Sequence, residues 1–149
     1  MDRFSNPDFE ERYAPRCTVV IPTRDRPSDL ERCLKAVTSL DYPRFDVLVV
    51  DNAPSDGRTR EMAARWGVGY VVEPLPGVSR ARNRGARETH AEIIAYIDDD
   101  CVCEPTWLSA LVQEFQDPLV MAVTSRFLPL RVTTEAQRIF VLMGGLDLG

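Results

Sequence analysis

Three consecutive carboxylates, Asp98, Asp99 and Asp100, close an apolar run that extends from Ile93 to Ile97. A buried strand that opens into such a cluster gathers like charges at its C-terminal end, which costs free energy unless water solvates them or a cation neutralises them. Mg²⁺ and Mn²⁺ suit an all-oxygen set and take their remaining ligands from water and from the phosphates of a substrate. If the strand continued through the cluster, Asp98 and Asp100 would project in related directions and Asp99 differently. Asp98 and Asp100 are therefore assigned to the metal, Asp100 most directly. Asp98 is also placed near a ribose or metal-bound water, and Asp99 is a further contributor to ligand binding. The plain alternative is an acidic, solvated turn with no metal role.

Two further groups stand in equivalent positions. Pro22, Thr23, Arg24 and Asp25 follow the apolar run Thr18 to Ile21, and Asp51 and Asn52 follow Val47 to Val50. A nucleotide would use such positions, since a carboxylate accepts hydrogen bonds from a base or ribose while arginine and metal neutralise phosphate. Asp51 is the candidate for base recognition, with Pro22, Thr23, Arg24 and Asn52 contributing. A capping role for Asp51 and a solvated helix-entry role for Arg24 are the alternatives. After Gly77, a helix beginning near Ser79 would place Arg80, Arg84 and Arg87 on one face and Arg82 and Asn83 elsewhere. Arg82, with Asn83, is preferred for ligand contact, and the outer arginines are solvent-facing. Cys101 and Cys103 lack a second pair at metal-ligand spacing and are structural. His90 has no accompanying nucleophile, and Trp66 and Trp107 fit apolar helix faces.

The elements that would hold these groups alternate regularly. Leu30, Cys33, Leu34, Val37 and Leu40 recur at helical spacing after the first run, which Pro22 stops. Met62, Ala63 and Trp66 mark a second helix, Tyr70 to Val72 a third strand, Ser79 to Thr89 a third helix and Glu92 to Ile97 a fourth strand. Pro105 opens a further helix carrying Trp107, Leu108, Leu111, Val112 and Phe115, followed by the apolar run Val120 to Thr124. Short apolar strands alternating with helices imply an α/β domain with a mostly parallel sheet flanked by helices. In such a sheet the strand ends share one rim, and residues distant in sequence meet there. The order of the strands is not readable.

With 149 residues and 44% hydrophobic composition, the chain is expected to form one packed domain or part of one. Its 18 Lys and Arg against 23 Asp and Glu do not favour a nucleic-acid partner. No apolar run approaches the roughly 20 residues of a membrane span. Four irregularly spaced cysteines and the absence of a signal-like start point to the cytoplasm, with peripheral attachment at the inner membrane face left open.

The segments Thr18 to Arg26, Asp46 to Asn52, Gly77 to Gly85 and Ile94 to Asp100, in that order, resemble the motifs of glycosyltransferase family 2. The resemblance covers residues 17 to 128 and implies a GT-A, Rossmann-like fold that binds a nucleoside diphosphate sugar. It implies that Asp51 is the nucleobase-binding aspartate, that Thr23 belongs to the donor-binding first loop, and that Asp98 to Asp100 are the metal-binding D-x-D region. Asn52 stands where many relatives have serine, and Arg82 and Asn83 match a common Ala-Arg-Asn segment. The implied reaction transfers sugar to an acceptor hydroxyl, usually with anomeric inversion and Mg²⁺ or Mn²⁺. On this reading residues 1–16 are an extension, 17–128 the donor-binding portion and 129–149 the start of an interrupted acceptor-side region. Glu135 and Asp147 are carboxylates without a motif, so no catalytic base is assigned. An inactive nucleotide-sugar-binding module is the alternative, and exposed apolar area favouring association or a partner chain is the expected consequence of an interrupted chain.

Overall fold

A computed structural model describes residues 13 to 144. The elements run β1 (Cys17–Thr23), α1 (Pro27–Val37), β2 (Phe45–Asn52), α2 (Arg58–Trp66), β3 (Gly69–Glu73), α3 (Val78–Glu88), β4 (Ile93–Tyr96), α4 (Trp107–Glu114) and α5 (Glu135–Leu142). The four strands form one parallel sheet in the order β3-β2-β1-β4. The chain thus builds outward from β1 through β2 to β3, then returns to place β4 on the other side of β1.

That reversal fixes the layers. Moving in one direction, right-handed crossovers put α1 and α2 on one face; moving back, they put α3 on the other. The period-two alternation of the strands supplies an apolar surface for each. Val19, Ile21 and Val49 pack with Leu30, Cys33, Leu34 and Val37 of α1, Met62 and Ala63 of α2 and Leu108 and Val112 of α4. Val20 and Val50, their immediate neighbours, face Ala81 of α3. Helix α3 also lies close to the sheet at Gly85, where an added Cβ would collide with the side chain of Val20.

Pro22 does not stop β1 as the sequence suggests, because β1 continues to Thr23 and pairs with β2 throughout. Ile97 donates its backbone N–H to the Val20 carbonyl, so that side of β1 faces β4. Pro22, two residues on, turns the same way, but the β1–β4 ladder ends at Val20 and Tyr96. Its missing N–H is therefore absent where no ladder partner waits. Strand β4 likewise ends at Tyr96, short of the acidic cluster. The Val120 to Thr124 run joins no strand, and α5 buries none of its residues.

Candidate functional site

The reversal of strand order between β1 and β4 opens a crevice beyond their C-terminal ends, the position at which open α/β sheets bind ligands. A cleft of about 390 Å³ lies there, lined by Pro22, Thr23, Arg24, Arg26, Asn52, Gly77, Val78, Ala81 and all three residues from Asp98 to Asp100. A larger cavity of about 630 Å³ opens at the other end of the strands, around Asp46, Trp66 and His90. Size does not decide between them. The first cleft sits at the switch point and gathers the acidic triplet with its facing arginines, and it is the better candidate.

The acidic cluster forms a turn rather than extending β4. The Cys101 N–H donates to the Asp98 carbonyl at 3.0 Å, which curls the chain and sends the three side chains to different partners. Asp99 turns inward, where its buried carboxylate accepts from the Thr23 hydroxyl at 2.7 Å and meets the Arg26 guanidinium at 3.0 Å. Burial pushes the Asp99 carboxyl above the usual carboxylate range, against the opposing pull of Thr23 and Arg26. Asp98 is half-exposed and pairs with Arg82 of α3 at 2.8 Å, while Asp100 pairs with the second Arg26 amino group at 3.0 Å. Arg26 also reaches Asp29 through its Nε at 3.1 Å.

Among the described residues no three His, Cys, Asp or Glu side chains converge as a ready metal cage. The donor set is nevertheless all-oxygen, and the cluster is already countered by two guanidinium cations. Oxygen donors of this kind suit a hard cation that draws further ligands from phosphate and water, although Asp98 and Asp100 are each paired with an arginine here. Cys101 and Cys103 pack against the core that contains Cys33. Burial raises the Cys33 thiol to about 12, so it stays neutral and is no thiolate ligand at ordinary pH.

Asp51 and Asn52 separate across the sheet because neighbouring strand residues face opposite sides. Asn52 lines the cleft, but its amide is fully engaged. It donates to the carbonyls of Glu73 and Leu75 and accepts from the Gly77 N–H at 2.7 Å. It thereby braces the turn before α3, where Gly77 adopts φ 138°, a conformation that side chains strain to reach. Asp51 does not line the cleft and is fully buried, with Oδ2 accepting from the Tyr70 hydroxyl at 2.8 Å. Its other oxygen, Oδ1, is buried without a hydrogen-bond partner. Burial drives its carboxyl upward, with Tyr70 opposing.

The cleft therefore brings together Pro22, Thr23, Arg24, Asn52 and the three aspartates, with Arg82 joined to them through Asp98. Asp51 does not line it, and Asn83 is exposed on α3 without lining it. Glu135 is exposed and belongs to α5, away from these residues in the chain, while Asp147 lies outside the described residues. Sequence reasoning missed Arg26, which touches two of the three aspartates. Its position just before the helix-opening Pro27 gave a hint, but only the adjacency of β1 and β4 shows what it meets. Asp25 was seen only as a rim residue. Its carboxylate accepts from both the N–H and the hydroxyl of Ser55, joining the loop after β1 to the loop after β2.

Comparison with known proteins identifies the family and the fold. The family model described as "Glycosyl transferase family 2" matches residues 18–142. The chain is 35% identical over 102 residues to glycosyltransferase AglE of Haloferax volcanii, covering 63% of this chain and 33% of that protein. It is 32% identical over 136 residues to the pre-mycofactocin glycosyltransferase of Mycobacterium tuberculosis, covering 89% of this chain and 28% of that protein. Among solved structures, the mannosyltransferase PcManGT from Pyrobaculum calidifontis, in complex with GDP-Man and Mn²⁺, superposes with a TM-score of 0.67 at 32% identity. That match covers 73% of this chain and 34% of the other. The glucosyl-3-phosphoglycerate synthase of M. tuberculosis shares the fold at 22% identity and a TM-score of 0.60, over 70% of this chain and 42% of its own. The fold is thus the GT-A, Rossmann-like arrangement, and the chain spans about a third of the length of several of these relatives.

Proposed function

The chain belongs to glycosyltransferase family 2, and from that premise we propose that it supplies the donor-binding side of sugar transfer from a nucleoside diphosphate sugar to an acceptor hydroxyl, with inversion at the anomeric carbon. The observation that carries the reading is the convergence of Thr23, Asp98, Asp99, Asp100 and two arginines on one cleft at the β1–β4 switch. Asp98 and Asp100 would hold Mg²⁺ or Mn²⁺, which when bound supplies positive charge against the diphosphate leaving group.

The chain's own residues have separable tasks. Thr23 and Arg26 fix Asp99 as the inner wall, so that Asp98 and Asp100 sit on either side of a rigid turn. Asn52 holds the Gly77 turn and hence the entry to α3, whose first residues line the cleft. Arg82 and Arg24 stand at its edge as phosphate partners. Asp51 is assigned as acceptor for a nucleobase N–H on the strength of its orphaned Oδ1. Because Asp51 is buried, this assignment requires the residues that cover it to move when the base enters. The acceptor, the donor sugar and the catalytic base are left to residues or partners not assigned. Four free cysteines fit a reducing compartment, so cytoplasmic residence belongs to the same proposal.

Calorimetric titration with GDP-mannose, UDP-glucose and dTDP-glucose, with and without Mn²⁺, tests the reading. GDP-mannose comes first because a 32% identical relative holds it. Binding that needs Mn²⁺ and is lost in Asp100→Ala supports it, whereas no binding by folded protein under any condition removes it. Acceptor-dependent transfer would then separate an active enzyme from a module that only binds donor.

A further inference from the structure

Arg26 holds an unusual position for a residue at the mouth of a phosphate-binding cleft, since its guanidinium is turned onto carboxylates. Nη1 meets Asp99 Oδ1 at 3.0 Å, Nη2 meets Asp100 Oδ2 at 3.0 Å and Nε meets Asp29 Oδ2 at 3.1 Å. We propose that Arg26 is a built-in counter-cation for the acidic turn, which must release Asp100 before a divalent cation can bind there. The inference rests on the metal reading of Asp98 and Asp100 given above.

The two halves of this clamp differ in how readily they let go. Asp99 is buried and already fixed by Thr23, so breaking its pair with Arg26 would leave a poorly solvated charge. Asp100 is half-exposed, and an ion pair in that setting is worth little against water. Asp100 can therefore rotate away while Arg26 keeps Asp99 and Asp29, which leaves Nη2 free for an incoming phosphate oxygen. A divalent cation arriving alone must displace a tethered guanidinium with only water to complete its coordination. One arriving with a diphosphate brings extra oxygen ligands and gives the displaced N–H a new acceptor. The device makes metal and nucleotide bind together and keeps the acidic turn compact between turnovers.

The test is the Mn²⁺ affinity of the 149-residue chain, read by the electron paramagnetic resonance of free Mn²⁺, for wild type, Arg26→Gln and Arg26→Lys, each with and without GDP. Without GDP, Arg26→Gln is expected to bind Mn²⁺ about tenfold more tightly than wild type, because a unit positive charge has left the site. With GDP the difference should fall to about threefold or less, as phosphate then competes for the arginine. Arg26→Lys keeps the charge on a compact ammonium that cannot span both carboxylates, and is expected to lie between the two. It carries the test if a melt shows that the Gln variant does not fold. If wild type binds Mn²⁺ with GDP but neither variant gains affinity without it, the counter-cation role is wrong and the metal site stands. If no protein binds Mn²⁺ even with GDP, the metal site itself is wrong and the inference falls with it.

Discussion

Asp51 is the residue whose environment is hardest to reconcile with stability alone. A carboxylate with no solvent exposure, one hydrogen bond and one orphaned oxygen is destabilising wherever it is ionised. Its folded-state affinity for a proton is raised by burial. A carboxyl shifted in this direction favours the folded state below the ordinary carboxylate range, and that contribution is lost as pH rises through the raised value. Asp51→Asn, which keeps an acceptor for Tyr70 without the charge, should therefore melt above wild type at pH 7, by roughly 2–4 °C for about 1 kcal/mol. The two should converge near pH 4; an equal gap at both pH values would contradict the account. If the orphaned oxygen serves a base, the same variant loses donor affinity while gaining stability. The sequence displayed Asp51 and the acidic triplet openly, because apolar runs that end in charge stand out. It did not display that Asn52 lines the cleft while Asp51 is buried away from it. That depends on how the strand ends are arranged side by side, and the strand order was unreadable. Arg26 was hidden for the same reason, since its partners lie 73 and 74 residues away.

At the scale of elements, the strands and helices that place the site follow directly from their residues. Val19 and Ile21 alternate with Val20, and the helical stripe of α1 matches the side chains it buries. Two local signals misled. Pro22 looked like a strand stop, yet it sits where the ladder with β4 has already ended. Val120 to Thr124 has a strand's composition but reaches no sheet edge, and composition alone cannot supply a partner. The packing of α3 gives a sharper test. Gly85→Ala gains helix propensity of about 1 kcal/mol. It also forces a methyl into the Val20 side chain on a central strand, with Val50 3.3 Å away. Overpacking of this kind costs about 1–3 kcal/mol, so a net loss is expected in urea unfolding. Gly57→Ala, whose added methyl meets nothing within 4 Å, should leave the midpoint almost unchanged. Equal behaviour of the two variants would show that α3 does not lie against the sheet as described. A shifted α3 would also move Arg82 away from Asp98.

For the whole molecule, the contrast lies between a tightly filled sheet region and the segment that follows α4. Leu119 and Met121 are 85% and 87% exposed, and Leu128, Leu130, Leu142 and Met143 are also exposed. Helix α5 has a capping box at Thr134 and Gln137 but no buried side chain, so its stability comes from local signals alone. Apolar surface of this extent favours association. The chain is expected to self-associate at micromolar concentration in sedimentation velocity. Replacing Leu128 and Leu142 together by Glu should shift it toward monomer without lowering the melting midpoint, since neither side chain is packed. A lowered midpoint would mean that these residues are packed in solution. No helix among the described residues is long and apolar enough to cross a membrane.

The central claim is that donor and metal meet at the β1–β4 switch and not at the larger cavity at the other end of the strands. Paramagnetic broadening of backbone amide signals by Mn²⁺ in the presence of GDP tests it most directly. The account predicts selective loss of signals from Thr23 to Arg26, Gly77 to Arg82 and Asp98 to Cys101, with Asp46, Gly67 and His90 unaffected. Broadening centred on Asp46, Glu88 and His90, or equal broadening at both ends of the sheet, would contradict it.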